Sequence, residues 1–172
     1  MKILVLGSGA REHAIIKTLI RTGTKPSDVY CAPGNGGISA EVACVSLNPA
    51  SPKEVSEWAG SNQIELVVIG PEAPLVAGVS DALRTLGIPV FGPSQKAAQL
   101  EGSKSFAKEV MAAADVPTGM AKECSTLEEV ALALDNFGAP YVVKADGLAA
   151  GKGVIVTEDE HAALNHAKTF IE

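Results

Sequence analysis

The chain has little cysteine, and what it has is scattered. Cys31, Cys44 and Cys124 are odd in number, far apart and without a CxxC pair. This spacing argues against a disulfide framework and against a zinc site. We therefore expect three reduced thiols that act as small buried hydrophobic residues in a cytoplasmic protein.

Long apolar runs and an excess of positive charge are also missing. The first apolar run, at 3–6, is too short for a signal peptide, and no later run approaches the length that crosses a membrane. Fourteen Lys and Arg residues against twenty Asp and Glu residues give a net charge of −6. That balance argues against nucleic acid as the main partner. We expect neither a membrane nor a nucleic acid among the partners of the chain.

Apolar runs and helical spacing alternate along the first hundred residues. They predict strands at 2–6, 29–32, 66–69 and 88–91, and helices at 12–21, 52–61 and 75–86, the last ended by Gly87. Strands that are apolar on both sides are typical of a parallel sheet covered on both faces. The prediction for residues 1–100 is a doubly wound α/β domain.

The pattern changes after about residue 100. Helices are predicted at 103–114, with Ser103 as N-cap, and at 126–137, with a capping box from Ser125 to Glu128. A strand is predicted at 120–124, two more flank a glycine loop, and a last helix starts near Glu158. Because so few strands bury a sheet face poorly, we interpret residues 101–172 as the incomplete first part of an α+β domain. The chain is then the front of a longer protein.

Four loops leave the predicted carboxyl ends of the strands in the first domain, at 7–13, 33–37, 70–74 and 92–94. Ligands bind at this edge of an open parallel sheet. All four loops are rich in glycine or proline, and together they carry Arg11, His13, Asn35 and Glu72. This combination predicts a ligand site.

The first of these loops is similar to the dinucleotide fingerprint G-x-G-x-x-G, but Glu12 replaces the third glycine. The acidic residue expected after the second strand is also missing. A dinucleotide is therefore disfavoured. Arg11 and His13 fall in the first turn of a helix, where the macrodipole disfavours cations and a bound phosphate reverses that effect. The alternative is that Arg11 and His13 pair with Glu12 or Glu72.

The stretch KADGLAAGKGVIV, at 144–156, places a glycine loop between two apolar runs. Glycine amides and two lysines suit a phosphate, above all that of a nucleotide. The spacing is not that of a Walker P-loop, because Gly147 and Gly151 enclose only three residues and Gly153 follows Lys152. We predict a hairpin with a phosphate-binding loop. An ordinary glycine-rich turn is the alternative.

Taken together, these segments resemble the glycinamide ribonucleotide synthetase (phosphoribosylamine–glycine ligase) family of the ATP-grasp superfamily. GSGAREH, PGNGG, GPEAPL, FGP, QLEGSK and KADGLAAGKGVIV occur in the order and spacing of that family, over essentially the whole chain. The resemblance implies a Rossmann-like pre-ATP-grasp substrate domain at 1–100 and the truncated start of an ATP-grasp domain at 101–172. The family uses ATP and Mg²⁺ to join glycine to 5-phosphoribosylamine through glycyl phosphate, in purine biosynthesis.

The resemblance also implies roles for individual residues. The implied phosphoribosylamine site consists of Gly9, Arg11, Glu12, His13, Asn35, Gly36, Pro71 and Glu72. The implied ATP site consists of Lys104, Lys144, Gly147, Gly151, Lys152 and Gly153. No catalytic residue or Mg²⁺ ligand is implied within the chain, and the metal ligands are expected beyond residue 172.

The resemblance thus implies a cytoplasmic ATP-dependent carbon–nitrogen ligase whose first 172 residues are inactive alone. Its implied partners are the small molecules phosphoribosylamine, glycine and ATP. Two other hypotheses stay open. One is a dinucleotide-dependent oxidoreductase domain, and the other is a non-catalytic module that binds phosphate or nucleotide.

Overall fold

A computed structural model describes residues 1–148 and 153–171 of the chain. The chain divides into two compact units, Met1–Gln99 and Leu100–Glu172. Among the described residues, no helix combines the length and the apolar character that a membrane crossing requires.

The first unit is built on a parallel sheet of five strands in the order β3-β2-β1-β4-β5. The strands are β1 (Ile3–Gly7), β2 (Val29–Pro33), β3 (Ala43–Cys44), β4 (Leu66–Ile69) and β5 (Val90–Phe91). All four neighbouring pairs are parallel, with Gly7 beside Pro33 and Leu6 beside Ile69. The predicted fold class is confirmed. The edge strand β3 was not predicted, because two residues carry no periodic signal.

Five α-helices accompany these strands. They are α1 (Ala10–Arg21), α2 (Gly36–Ser39), α3 (Pro52–Ser61), α4 (Glu72–Val76) and α5 (Val79–Thr85). A 3₁₀ turn, Pro26–Asp28, precedes β2. The single helix predicted at 75–86 is wrong. Gly78 takes a left-handed conformation with φ of 89°, which interrupts the helical path and leaves α4 and α5 as two short helices.

The core of the first unit lies on both faces of the sheet. In β1, Leu4 and Leu6 pack into one apolar cluster with residues of α3 and α5. Ile3 and Val5 belong to the opposite cluster, together with Ile16 of α1. Alternate residues of one strand are thus buried on opposite sides, as a doubly wound sheet requires.

The second unit contains an antiparallel hairpin of β6 (Tyr141–Lys144) and β7 (Val154–Thr157), with Lys144 opposite Val154. Its remaining elements are α7 (Lys104–Ala113), α8 (Leu127–Phe137) and α9 (Glu160–Lys168), while α6 (Gln95–Gly102) contains the boundary between the units. The buried side chains of α8 and α9, among them Leu134 and Ala163, pack with the half-buried Tyr141 and Val143 of the hairpin.

Three predictions for the second unit need correction. Residues 120–124 form no strand, because no described segment pairs with them to form a ladder. The capping box of α8 runs from Thr126 to Glu129, one residue later than predicted. Helix α9 begins at Glu160 with Asp159 as its N-cap, and α6 was not predicted.

Candidate functional site

The loops that leave β1, β2 and β4 meet at the carboxyl edge of the parallel sheet. Gly34 N donates to Gly7 O at 3.2 Å, and Gly70 N donates to Leu6 O at 3.1 Å. Asn35 Nδ2 donates to Ser8 O at 2.8 Å. Backbone and side-chain bonds therefore hold three of the four predicted loops against one another.

Arg11 lies in the first turn of α1, which begins directly after the N-cap residue Gly9. Its Nε donates to Glu12 Oε1 at 3.2 Å, and both Nη atoms lie 3.4 Å from Glu72 Oε1. The hydrogen bond to Glu12 raises the pKa of the Arg11 guanidinium above its ordinary value. The open alternative, pairing with Glu12 or Glu72, is confirmed for Arg11. Its side chain is still 58% exposed, so these contacts leave much of the Arg11 side chain open to solvent.

His13 pairs with Glu41 and not with Glu12 or Glu72. Its Nε2 lies 2.8 Å from Glu41 Oε1, and Lys17 Nζ lies 2.7 Å from the same oxygen. Pairing of His13 with Glu12 or Glu72 is therefore wrong. Hydrogen bonds from Lys17 and then His13 hold the pKa of Glu41 below its ordinary value. Glu41 belongs to no motif, so nothing in the sequence indicates this contact.

Asn35 joins two of the loops and also begins a helix. Its Oδ1 accepts from Gly37 N at 2.8 Å and from Ile38 N at 3.0 Å, so it caps α2 while its amide nitrogen reaches Ser8. Gly36 is the first residue of α2 and is exposed. On the other side of β1, Pro71 is the N-cap residue of α4 and Glu72 its first residue.

Glu12 carries a buried carboxylate at the carboxyl edge of the sheet. Only 3% of the residue is exposed. Its Oε2 accepts from Gly9 N at 2.7 Å, while Oε1 accepts from Arg11 Nε. Two glycines leave the space that the side chain fills. A Cβ on Gly7 would lie 2.6 Å from Glu12 Cγ, and one on Gly70 would overlap the carboxylate.

In the second unit, an acidic residue joins the loop after β6 to the start of α7. Asp146 Oδ1 accepts from Lys104 N at 2.6 Å, and Oδ2 accepts from the Ser103 hydroxyl at 2.9 Å. Burial alone would raise the pKa of Asp146, but these hydrogen bonds and others from the Gly147 and Ser105 amides hold it below its ordinary value. Sequence reasoning missed Asp146, because a lone Asp beside glycine is typical of an ordinary turn.

Of the two lysines in the implied ATP site, Lys104 is the first residue of α7 and Lys144 is the last residue of β6. Lys104 Nζ donates to Gly147 O at 2.9 Å. Lys144 ends β6 with an exposed side chain, and Ala145 N donates to Gly153 O at 2.7 Å, which closes the hairpin stem. The predicted hairpin is confirmed at its two strands. Gly151 and Lys152 lie outside the described residues.

The described residues of the two units contain neither a grouped set of metal ligands nor a disulfide bond. Within 1–148 and 153–171, no three His, Cys, Asp or Glu side chains are grouped so that they could hold a metal ion. All three cysteines are free. Cys31 is fully buried, and burial raises the pKa of its thiol to about 12. Cys44 and Cys124 are only partly buried, so the expectation of buried hydrophobic residues is confirmed for Cys31 alone.

Comparison with known proteins gives matches over the whole chain. The family described as phosphoribosylglycinamide synthetase, N domain, matches residues 1–101, and its ATP-grasp (A) domain matches residues 102–172. A phosphoribosylamine–glycine ligase of Leifsonia xyli subsp. xyli is 63% identical over 174 residues, which cover 99% of this chain and 41% of the relative.

Two solved structures show the same fold. A phosphoribosylamine–glycine ligase from Thermotoga maritima has a TM-score of 0.76 at 31% identity, over 96% of this chain and 38% of that one. The biotin carboxylase domain of a 2-oxoglutarate carboxylase from Hydrogenobacter thermophilus, in complex with ADP, its magnesium salt and bicarbonate, has a TM-score of 0.76 at 20% identity. It covers 98% of this chain and 40% of that one. The chain therefore spans about 40% of the length of these relatives.

Proposed function

We propose, because the chain belongs to the phosphoribosylglycinamide synthetase family, that it forms the amino-terminal part of an ATP-dependent carbon–nitrogen ligase of purine biosynthesis. The proposed reaction joins glycine to 5-phosphoribosylamine and yields glycinamide ribonucleotide, ADP and phosphate. The observation that carries the proposal lies at the carboxyl edge of the sheet, where Arg11 is bonded to Glu72 and Asn35 is bonded to Ser8 O of the first loop. A cytoplasmic location and small-molecule partners are part of the proposal.

The proposed phosphoribosylamine site lies at the start of α1. Backbone amides of a helix N-terminus attract a phosphate, and Gly9, as N-cap residue, has no side chain to occupy them. Arg11 adds two exposed Nη donors for the same anion. Glu72 supplies a carboxylate that suits ribose hydroxyls. Asn35 holds the loops around it through its bonds to Ser8 O, Gly37 N and Ile38 N, and His13, Gly36 and Pro71 border the site. Glu12 fills the place of the third glycine in a dinucleotide fingerprint, which supports a sugar phosphate over a dinucleotide.

The proposed triphosphate site lies in the second unit. Lys104 and Lys144 would each place an ammonium group near the phosphates, and the glycine loop at 147–153 would supply backbone amides. The Hydrogenobacter protein, which shares the fold, holds ADP. For phosphoryl transfer, protein groups act mainly by positioning and by neutralising charge, and lysines suit that role.

The proposed ligation proceeds without a covalent bond between a substrate and this chain. A glycine carboxylate oxygen attacks the γ-phosphorus of ATP, which releases ADP and forms glycyl phosphate. The amine nitrogen of phosphoribosylamine then attacks the acyl carbon, phosphate leaves, and the nitrogen loses its proton. The described residues of this chain offer no cluster fitted to Mg²⁺. We therefore place the metal ligands in the part of the protein that these residues do not include, and we assign the metal no step here.

The test is a ligase assay on the full-length protein, with ADP release measured at varied concentrations of each substrate. Arg11→Gln should raise KM for phosphoribosylamine by about tenfold or more, the scale of a charge-assisted hydrogen bond, and leave KM for ATP unchanged. Lys144→Ala should weaken the use of ATP by a similar factor. Lys53→Ala, which removes a lysine that is 84% exposed on α3, is the matched control and should change neither constant. An Arg11→Gln effect on ATP alone would contradict the proposal.

A further inference from the structure

Glu12 is a buried carboxylate that the proposed chemistry does not use. A carboxylate without partners is unstable away from water, so its burial requires hydrogen bonds or an ion pair. Both oxygens have such partners, Gly9 N for Oε2 and Arg11 Nε for Oε1. With 5% of its side chain exposed, the carboxylate offers very little surface to a ligand atom.

Glycines on two different loops form the walls of this space. Gly7 closes β1 with φ of 131°, and Gly70 follows β4. A Cβ at either position would collide with the Glu12 side chain. The Glu12 side chain therefore packs closely between the first loop and the loop that leads to Glu72.

The hydrogen bond to Nε also decides how Arg11 is presented. With Nε engaged, the guanidinium plane is held and both Nη atoms point towards Glu72, where the side chain is exposed. The bond to Gly9 N fixes the backbone from which the first-turn amides project. Glu12 is thus bonded both to the Arg11 guanidinium and to the loop whose amides are proposed to bind the sugar phosphate.

We propose that Glu12 is a positioning residue of the phosphoribosylamine site: it holds Arg11 and the loop at 7–9 in the arrangement that binds the phosphate, without touching the substrate. This inference rests on the proposed function. It assigns to Glu12 a role exerted through Arg11, distinct from that of a direct ligand.

Glu12→Gln is the informative substitution. Its carbonyl oxygen still accepts from Gly9 N, but its NH₂ group then faces Arg11 Nε, so a donor meets a donor. In the 172-residue chain, ribose 5-phosphate is titrated and the amide resonances of residues 9–13 are followed. Glu12→Gln should weaken binding by about tenfold, as expected for the loss of a charge-assisted hydrogen bond. The matched control is Glu65→Gln. The Glu65 carboxylate accepts from Lys2 N at the opposite edge of the sheet, so its replacement should leave binding unchanged.

A double-mutant cycle separates positioning from contact. If Glu12 acts through Arg11, the variant with both Glu12→Gln and Arg11→Gln binds no more weakly than Arg11→Gln alone. Independent, multiplying losses would overturn the inference, because Glu12 would then act on the ligand by another route. Unchanged binding by Glu12→Gln would overturn it as well.

A measurement on the unaltered chain covers the case in which Glu12→Gln does not fold. The Nε–H proton of Arg11 should exchange with water more slowly than those of Arg21 and Arg84, because it is bonded to a buried carboxylate. Equal exchange rates would overturn the inference. If instead ribose 5-phosphate does not bind, or Arg11→Gln binds it as well as the unaltered chain does, the proposed function fails, while the exchange rates still report whether Glu12 holds Arg11.

Discussion

Asp146 and Lys104 are 42 residues apart in the chain, and the Lys104 backbone amide donates to the Asp146 carboxylate at 2.6 Å. The bond joins the loop after β6 to the first residue of α7. A negative charge at a helix N-terminus is favourable, because it faces unpaired amides and the positive end of the macrodipole. The same contact brings Lys104 Nζ to Gly147 O, so the backbone position of one proposed ATP lysine depends on this carboxylate.

Asp146→Asn should therefore destabilise the second unit in a pH-dependent way. The pKa of Asp146 is lower in the folded chain than in the unfolded one, so its contribution is present at neutral pH and is lost as the pH falls through the folded value. The loss at pH 7 should be about 1 kcal/mol, the scale of a helix cap, because the exposed carboxylate is screened by solvent. Urea unfolding at pH 7 and at pH 3 measures it.

Asp135→Asn, at an exposed position on α8, is the control for that experiment. It removes the same charge without the contact to α7 and should cost little at either pH. A constant difference between the unaltered chain and Asp146→Asn from pH 7 to pH 3 would contradict the role assigned to the ionised carboxylate.

Cys31 should be the least reactive of the three thiols. Burial raises the pKa of Cys31 to about 12, so almost no thiolate forms at pH 8. With iodoacetamide and mass spectrometry, Cys44 and Cys124 should be alkylated first, and Cys31 only when the chain unfolds. Because the folded pKa exceeds that of the unfolded chain, this thiol stabilises the fold up to a pH of about 8.5 and the effect is lost towards about 12. Early labelling of Cys31 in folded protein would show that β2 opens locally.

The 172-residue chain alone should not catalyse the ligation. Its described residues contain no group of metal-binding side chains, and it spans 41% of the length of its Leifsonia relative. Incubation with ATP, Mg²⁺, glycine and phosphoribosylamine should release no ADP above background. ADP release that depends on both glycine and phosphoribosylamine would show that this chain contains a complete site.

Where local chemistry decides the structure, the sequence predicts it closely. The helix at 52–61 and the strand at 66–69 coincide with α3 and β4. The Ser51 side chain accepts from Glu54 N and Pro52 occupies the first turn, so the start of α3 is set within four residues. The predicted break at Gly87 is confirmed, because α5 ends at Thr85 and Gly87, two residues later, has φ of 73°.

Where the partner comes from a distant loop, the sequence fails. The sequence resemblance places Glu12 in the implied phosphoribosylamine site, but it does not reveal that the Glu12 side chain packs against Gly70, 58 positions away. Glu41 and Asp146 resemble ordinary solvated charges until the fold brings them to His13 and Lys104. The broken helix at Gly78 is a further example. Glycine within a helical pattern costs only about 1 kcal/mol relative to alanine, which a helix can tolerate, so the left-handed conformation of Gly78 is visible only in the structure.

The proposed site at the carboxyl edge of the first sheet should bind a sugar phosphate and not a dinucleotide. The most direct measurement titrates the 172-residue chain, labelled with ¹⁵N, with ribose 5-phosphate and separately with NADH. Ribose 5-phosphate should cause saturable shifts of the amide resonances of residues 9–13 and 35–37. A folded Arg11→Gln variant should need about tenfold more ribose 5-phosphate for the same shifts, and NADH should cause none. Saturable binding of NADH at these amides, with no response to ribose 5-phosphate, would contradict the proposed site.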